Sequence, residues 1–191
     1  MEKQDYKKYR WFFTKSGKLV YGGKSAEQND LLMKDLKEER VIMHTHIPGS
    51  PFSVIEAPVK KVSASDLEEA AIWTACFSRA WRVGLRKTPI DIFMTRQLFK
   101  KKEMKQGTWG VVGTKERKIV ELKLAVTKQD GILRCVPEPS VKKSEVIMTI
   151  TPGKTSKEDF ADELVKKLNL KKDEVLQALP TGGFKIFKEK K

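Results

Sequence analysis

Apolar positions recur with period two in some stretches of the chain and with a period near 3.6 in others, and these changes of period outline the fold. Trp11-Phe12-Phe13 and Lys18-Leu19-Val20-Tyr21 flank Thr14-Lys15-Ser16-Gly17, a turn-rich four ending in glycine, which predicts an opening hairpin. Ser25-Ala26-Glu27-Gln28 has the form of a capping box ahead of Leu31, Leu32 and Leu36, so a helix is expected over 26–37. Val41 to His46 and Phe52 to Glu56 read as strands that pair across the break at Pro48-Gly49-Ser50-Pro51. Ser65-Asp66-Leu67-Glu68 is a second candidate box. Leu67, Ala70, Ala71, Thr74 and Phe77 then keep helical spacing toward Gly84, which offers a C-terminal stop. The small residues of that segment, Ala70, Ala71, Ala75, Cys76, Ser78 and Ala80, suit close packing of a central helix on a sheet.

Ile90 to Thr95 predicts a further core strand, followed by a basic connection from Arg96 to Lys105 and a glycine-punctuated strand from Gly107 to Gly113. Val120, Leu122, Leu124 and Val126 alternate with polar or small neighbours up to Asp130-Gly131, and Ile132 to Val136 returns, which predicts a second hairpin. Pro137-Glu138-Pro139 cannot continue a central strand, and a boundary is expected there: a main domain at 1–139 and a small α/β module at 140–191. In the module, Val146 to Thr151 reads as a strand, Ser156 and Asp159 cap a helix bearing Phe160, Leu164 and Leu168, a short helix covers 172–179, and Gly183 to Phe187 closes as a strand. A β-α-α-β unit of this size needs to dock on the main domain to be stable. The fold class expected is α+β, with a mixed or antiparallel sheet packed against a central helix.

Composition adds charge to this picture. The 191 residues carry 39 Lys or Arg against 25 Asp or Glu, a formal net charge of +14, the signature of a polyanion-binding surface. The apolar fraction, 39%, is enough for a buried core and argues against global disorder. No apolar run approaches the length of a bilayer crossing and the N-terminus lacks the apolar region of a secretory signal, so a cytoplasmic location without a membrane partner is expected. Cys76 and Cys135 lack any CxxC or Cys/His companion and are expected as buried thiols.

The densest basic stretch, 82–105, holds Arg82, Arg86, Lys87, Arg96, Lys100, Lys101, Lys102 and Lys105 against only Asp91 and Glu103. Lysines on a connection between strands are suited to meet phosphates as mobile point charges. If the central helix persists to Gly84, Arg79, Arg82 and Arg86 share one face and Trp73, Phe77 and Trp81 lie opposite, most simply in the core. His44 and His46 alternate onto one face of a strand, and with Asp91 they define the competing reading, an RNA-processing or RNA-modifying enzyme. Phosphate cradles of the GxxxxGK[ST] and GxGxxG kinds are absent, as is a serine nucleophile elbow, and neither a metal nor another cofactor is expected.

Several blocks in order resemble the NFACT RNA-binding domain: Tyr9 to Thr14, Gly17 to Val20, Gly22-Gly23-Lys24, Gln28-Asn29, Met43-His44, Asp66 to Ala71, Ser78 to Trp81, Asp91 to Met94, Gly107-Thr108-Trp109 and Gly113-Thr114-Lys115. The chain departs from the family pattern at Thr45-His46 and Pro48, where alanine-aspartate and a histidine are usual. The resemblance covers about residues 6–118 and suggests a small standalone version with an extra C-terminal module. It implies a non-enzymatic role: contact with structured RNA, tRNA or rRNA of the large ribosomal subunit, in ribosome-associated quality control or RNA metabolism. The candidate RNA-contacting set is Lys24, His44, Arg79, Arg82, Arg86, Lys87, Arg96, Lys100, Lys101, Lys102, Lys105, Lys115 and Arg117. The C-terminal module is the candidate surface for a protein partner.

Overall fold

The structure is a computed structural model that describes residues 5–45, 47, 50–113 and 115–187. The opening aromatic run forms β1 (Arg10–Phe13), which turns through Gly17 at φ +81° and pairs antiparallel with β2 (Leu19–Gly22). Helix α1 (Ala26–Asp35) starts at Ser25, whose hydroxyl accepts from Gln28 N–H, while Gln28 Oε1 accepts from Lys24 N–H. The helix is shorter than expected. It buries Leu32 and Met33 and leaves Leu31 49% exposed, so Leu31 is not part of the apolar face.

Strands β3 (Val41–Thr45) and β4 (Ser53–Ile55) pair as the sequence suggests. Helix α2 (Ala64–Cys76) begins two residues earlier than predicted: its cap is Ser63, in a reciprocal box with Asp66, and Ser65 lies inside the first turn. The helix also ends early. Ser78 Oγ donates to Ala75 O and accepts from Ala80 N–H, which stops α2 and starts a one-turn helix, α3 (Arg79–Arg82). The single helix reaching Gly84, and the continuous arginine face drawn on it, are therefore replaced by two helices with a break at Ser78. Trp73 and Trp81 are both buried, as expected of core.

Strand β5 (Lys87–Met94) leads through β6 (Leu98–Phe99), a loop, and β7 (Gly110–Val111) to β8 (Glu116–Glu121). The alternating run at 120–126 divides between two sheets: β8 pairs with β5, whereas β9 (Leu124–Gln129) forms a hairpin with β10 (Ile132–Val136). That hairpin turns through Asp130 and Gly131, both at positive φ, the requirement of a two-residue loop matching strand twist. Next come β11 (Met148–Thr155), α4 (Lys157–Leu168), α5 (Lys172–Ala178) and β12 (Phe184–Ile186).

Among the described residues three antiparallel sheets result, ordered β1-β2-β4-β3-β5-β8, β10-β9-β11-β12 and β6-β7. The fold is α+β. Alternation along β3 shows how the large sheet is covered: Val41 and Met43 join the core containing α2, while Ile42 joins the core containing Leu32 and Met33 of α1. His44, two positions on from Ile42, therefore stands on the α1 face. The four-stranded sheet takes β9 and β10 from before Pro139 and β11 and β12 from after it. The tail also reaches α3, where Trp81 Nε1 donates to Gly183 O at 3.0 Å and the Trp81 ring lies 5.7 Å from Phe184.

Buried acids fix the opening hairpin. Asp66 accepts from Thr14, Ser16 and Ser63 and pairs with Lys18 at 2.9 Å. Glu69 accepts from Lys15 N–H and Ser140 Oγ. Burial alone would raise the Asp66 pKa, but these donors hold it well below the usual carboxylate range. The turn, α2 and the segment after Pro139 are thus tied to one another.

Candidate nucleic-acid interface

A cleft of about 650 Å³ opens on the α1 face of the large sheet. Its cations come from separate elements: Arg10 from β1, Lys24 from the β2–α1 connection, Arg79 and Arg82 from α3, and Lys115 from the approach to β8. Its rings are Phe52, Phe77, Phe93 and Trp109. Phe52 and Phe93 are buried and Phe77 and Trp109 half-buried, and cations beside partly exposed rings can hold phosphates while bases stack.

The floor is built by register. His44 lies opposite Asp91 in the β3–β5 ladder, and its ring sits 4.5 Å from that of Phe52, which meets Phe93 edge-on at 6.3 Å. His44 Nε2 is 2.9 Å from Ser50 O, and burial pushes the imidazole pKa down, so the ring is neutral near pH 7. Asp91 accepts from Arg117 Nε at 2.7 Å and from Lys115 Nζ at 3.5 Å. Burial opposes its ionisation, yet Arg117 and Lys115 hold its pKa below the ordinary value. Asp91 is thus an ion-paired carboxylate beside a neutral histidine. His46, the third residue of the enzyme reading, lies outside the described residues.

One margin of the cleft is the loop between β6 and β7, anchored by Asp30 of α1. Asp30 Oδ1 accepts from Lys100 Nζ at 3.0 Å and from Trp109 Nε1 at 2.8 Å. The same ammonium also bonds Lys105 O and Thr108 O. Lys100 is therefore a fixed structural lysine rather than the mobile charge expected of it. Gly107, at φ +76°, approaches Ala26 so closely that a Cβ would stand 2.7 Å from the Ala26 backbone. Gly23 likewise leaves no room for a Cβ against Asn29. Asn29 lines the cleft, and its buried Oδ1 has no donor among the described residues.

Of the sequence candidates, Lys24, His44, Arg79, Arg82 and Lys115 line the cleft, and Arg117 supports it through Asp91. Arg79 and Arg82 are exposed and, among the described residues, neither has a carboxylate partner; Arg79 N–H itself donates to Ser50 Oγ. Arg86, Lys87, Arg96, Lys101, Lys102 and Lys105 are exposed but do not line the cleft. Lys87 pairs with Glu121 at 3.3 Å, Arg96 pairs with Glu39 at 2.6 Å, and Lys101 lies over the Phe99 ring. Sequence reasoning passed over Arg10, Asn29, Phe52, Phe93 and Trp109 and assigned Phe77 to the core. The available signal was Arg10, a lone cation inside the aromatic run Tyr9-Arg10-Trp11.

The cleft thus gathers cations and aromatic rings on one face of an antiparallel sheet. The chain belongs to the NFACT protein RNA binding domain family, whose sequence profile matches residues 8–113. The archaeal Rqc2 homolog aRqcH of Methanocaldococcus jannaschii is 28% identical over 204 residues, covering 98% of this chain and 30% of that protein. The ribosome quality control complex subunit NEMF homolog of Drosophila melanogaster is 30% identical over 78 residues, covering 40% of this chain and 8% of that protein. The chain thus spans less than a third of the length of either relative. Among solved structures, the C-terminal part of the fibronectin/fibrinogen-binding protein of Streptococcus suis superposes with a TM-score of 0.54 at 22% identity, covering 60% of this chain and 45% of that one, a likeness of fold. No helix among the described residues is long and apolar enough to cross a membrane.

Proposed function

We propose that the cleft binds structured RNA, tRNA or rRNA of the large ribosomal subunit, by taking an unpaired nucleotide among its rings while Arg79, Arg82 and Lys24 meet the adjoining phosphates. The observation that carries this reading is the pair of exposed arginines on α3, which border the same cleft as four aromatic rings and have no acidic partner among the described residues. Guanidinium groups match phosphate geometry bidentately, and a short packed helix holds them in place better than a loop does. The named relatives are ribosome quality control proteins, which supports a role of this chain in that process in the cytosol. As a binding module it turns nothing over. The competing enzyme needs side chains open to substrate, and the described geometry gives a His44 whose Nε2 is held on Ser50 O and an Asp91 already engaged by two cations.

The test is anisotropy of labelled tRNA, an rRNA hairpin and a scrambled single strand against the protein over a salt series. Preference for the structured RNAs, with a log-log salt slope of several units, is expected. Equal affinity for all three, or a flat salt response, would overturn the reading. The same RNAs incubated with protein and run on a denaturing gel should stay intact.

A further inference from the structure

Arg10 and Lys24 stand at the border between the cleft and a smaller hollow of about 280 Å³, whose other walls are Asp173, Leu176 and Gln177 of α5. A narrow notch beside it brings Arg134 of β10 next to the same two cations. Arg134 lies flat on Trp11, 4.1 Å from the ring centre, and Arg10 lies 5.7 Å from that of Phe77. Ring stacking fixes the direction of both guanidinium groups without neutralising them.

The arrangement costs the folded protein stability. Burial pushes the pKa of Arg10, Arg134 and Lys24 down, and Lys24 is lowered further by Arg10 and Arg134 themselves. Lys157 of α4, which donates to Leu179 O, adds to the same crowd from behind Arg10. None of these four has an ion-pair partner among the described residues, and Arg134 Nε is buried without an acceptor. The carboxylates acting on the cluster are Asp173 at the hollow's rim, Glu174, which accepts from Leu133 N–H, and Glu158 beside Lys157. Three acids, none of them ion-paired to these cations, leave the four in excess, so an added anion would relieve the mutual repulsion. The hollow offers no ring face, which suits a phosphate rather than a base.

Building on the RNA-binding reading, we infer that Arg10, Lys24 and Arg134 form a second phosphate site, which holds a backbone phosphate of a strand leaving the cleft toward α5. The residues after the family's matched segment then take part in binding, because β10 supplies Arg134 and α5 walls the hollow.

Arg134 lines the notch and not the cleft, so it separates the two sites. The test uses the full chain, Arg134→Gln, Arg134→Lys, and Lys128→Gln as an exposed-lysine control on β9. With a labelled single-stranded 20-mer and with tRNA, Arg134→Gln should weaken binding about fivefold and reduce the salt slope by about 0.7 to 0.9, the share of one phosphate contact. Arg134→Lys should recover most of the affinity, and Lys128→Gln should match the parent. Inorganic phosphate supplies a readout independent of RNA. At matched ionic strength against chloride it should raise the melting temperature of the parent and of Arg134→Lys, and do so less for Arg134→Gln. A folded Arg134→Gln with unchanged slope, or a phosphate-induced shift indifferent to Arg134→Gln, would overturn the site. If the parent bound no RNA, the RNA reading would fall, while the phosphate melts would still decide the cluster.

Discussion

Two basic regions of this protein look alike as sequence and behave differently as structure. The connection from Arg96 to Lys105 is the denser in charge, yet Arg96 is tied to Glu39 and Lys100 is surrounded by Asp30, Lys105 O and Thr108 O. The α3 turn holds only Arg79 and Arg82, and both are exposed beside ring faces with no carboxylate partner among the described residues. Charge density therefore marks where cations were placed, whereas pairing decides which of them remain available to a ligand. An ammonium held by three acceptors serves the loop it closes, whereas an exposed guanidinium without a carboxylate partner keeps its donors open.

The sharpest way to break this comparison is to remove the two arginines together. Arg79→Ala with Arg82→Ala should weaken tRNA binding about a hundredfold, from about 1.4 kcal/mol for each charge-assisted contact, with a melting temperature within about a degree of the parent. Anisotropy beside thermal melts decides it: a protein that melts several degrees lower yet keeps its selectivity would make the arginines structural. Lys100→Ala should show the reverse pattern. Loss of a charged donor to Asp30 and two carbonyls should cost about 2 kcal/mol and lower the melting temperature by about 4 to 8 °C, while affinity of the folded protein stays within about twofold.

Acid titration sharpens the same contrast. Burial opposes ionisation of Asp30, but Gly107 N–H, Lys100 and Trp109 hold its pKa below the ordinary value, as the hairpin donors do for Asp66. A depressed folded pKa contributes stability that is fully present above the unfolded value near 3.9 and is lost as pH falls toward the folded value. Chemical denaturation between about pH 5 and pH 2 should therefore show stability falling steadily, and Lys100→Ala should fall less steeply because Asp30 has lost a donor. The smallest effect belongs to Lys102→Ala with Lys105→Ala. These exposed side chains should contribute about a twofold change in affinity and about one unit of salt slope at most, with no change in melting.

The elements whose local pattern agreed with their packing were legible in the sequence. The first hairpin, the β3–β4 pair, the Asp130-Gly131 turn and the two tail helices fall within a few residues of where periodicity and caps put them. What escaped was set by one competing local cap and by contacts distant in sequence. Ser78 is a serine cap whose hydroxyl bonds Ala75 O and Ala80 N–H, three and two positions away, and helical spacing that continues past it masks the break. The run at 120–126 alternates without interruption even though Leu122 N–H bonds Arg86 O and the chain then changes sheets. Half of the cleft was visible as charge. Its rings were not, because Phe52 and Phe93 are core side chains of their strand runs, and only register beside His44 and Asp91 brings them to the cleft floor.

The contact between Trp81 and Gly183 spans 102 positions of the chain. Chain made from its N-terminus exposes the arginine turn long before the residues that back it exist. Closing so long a loop is slow compared with forming the neighbouring hairpins, so the contact that backs the turn is expected to form after them. The grip proposed for α3 thus calls on the finished fold, and a nascent chain carries the cations well before the tail is there to back them.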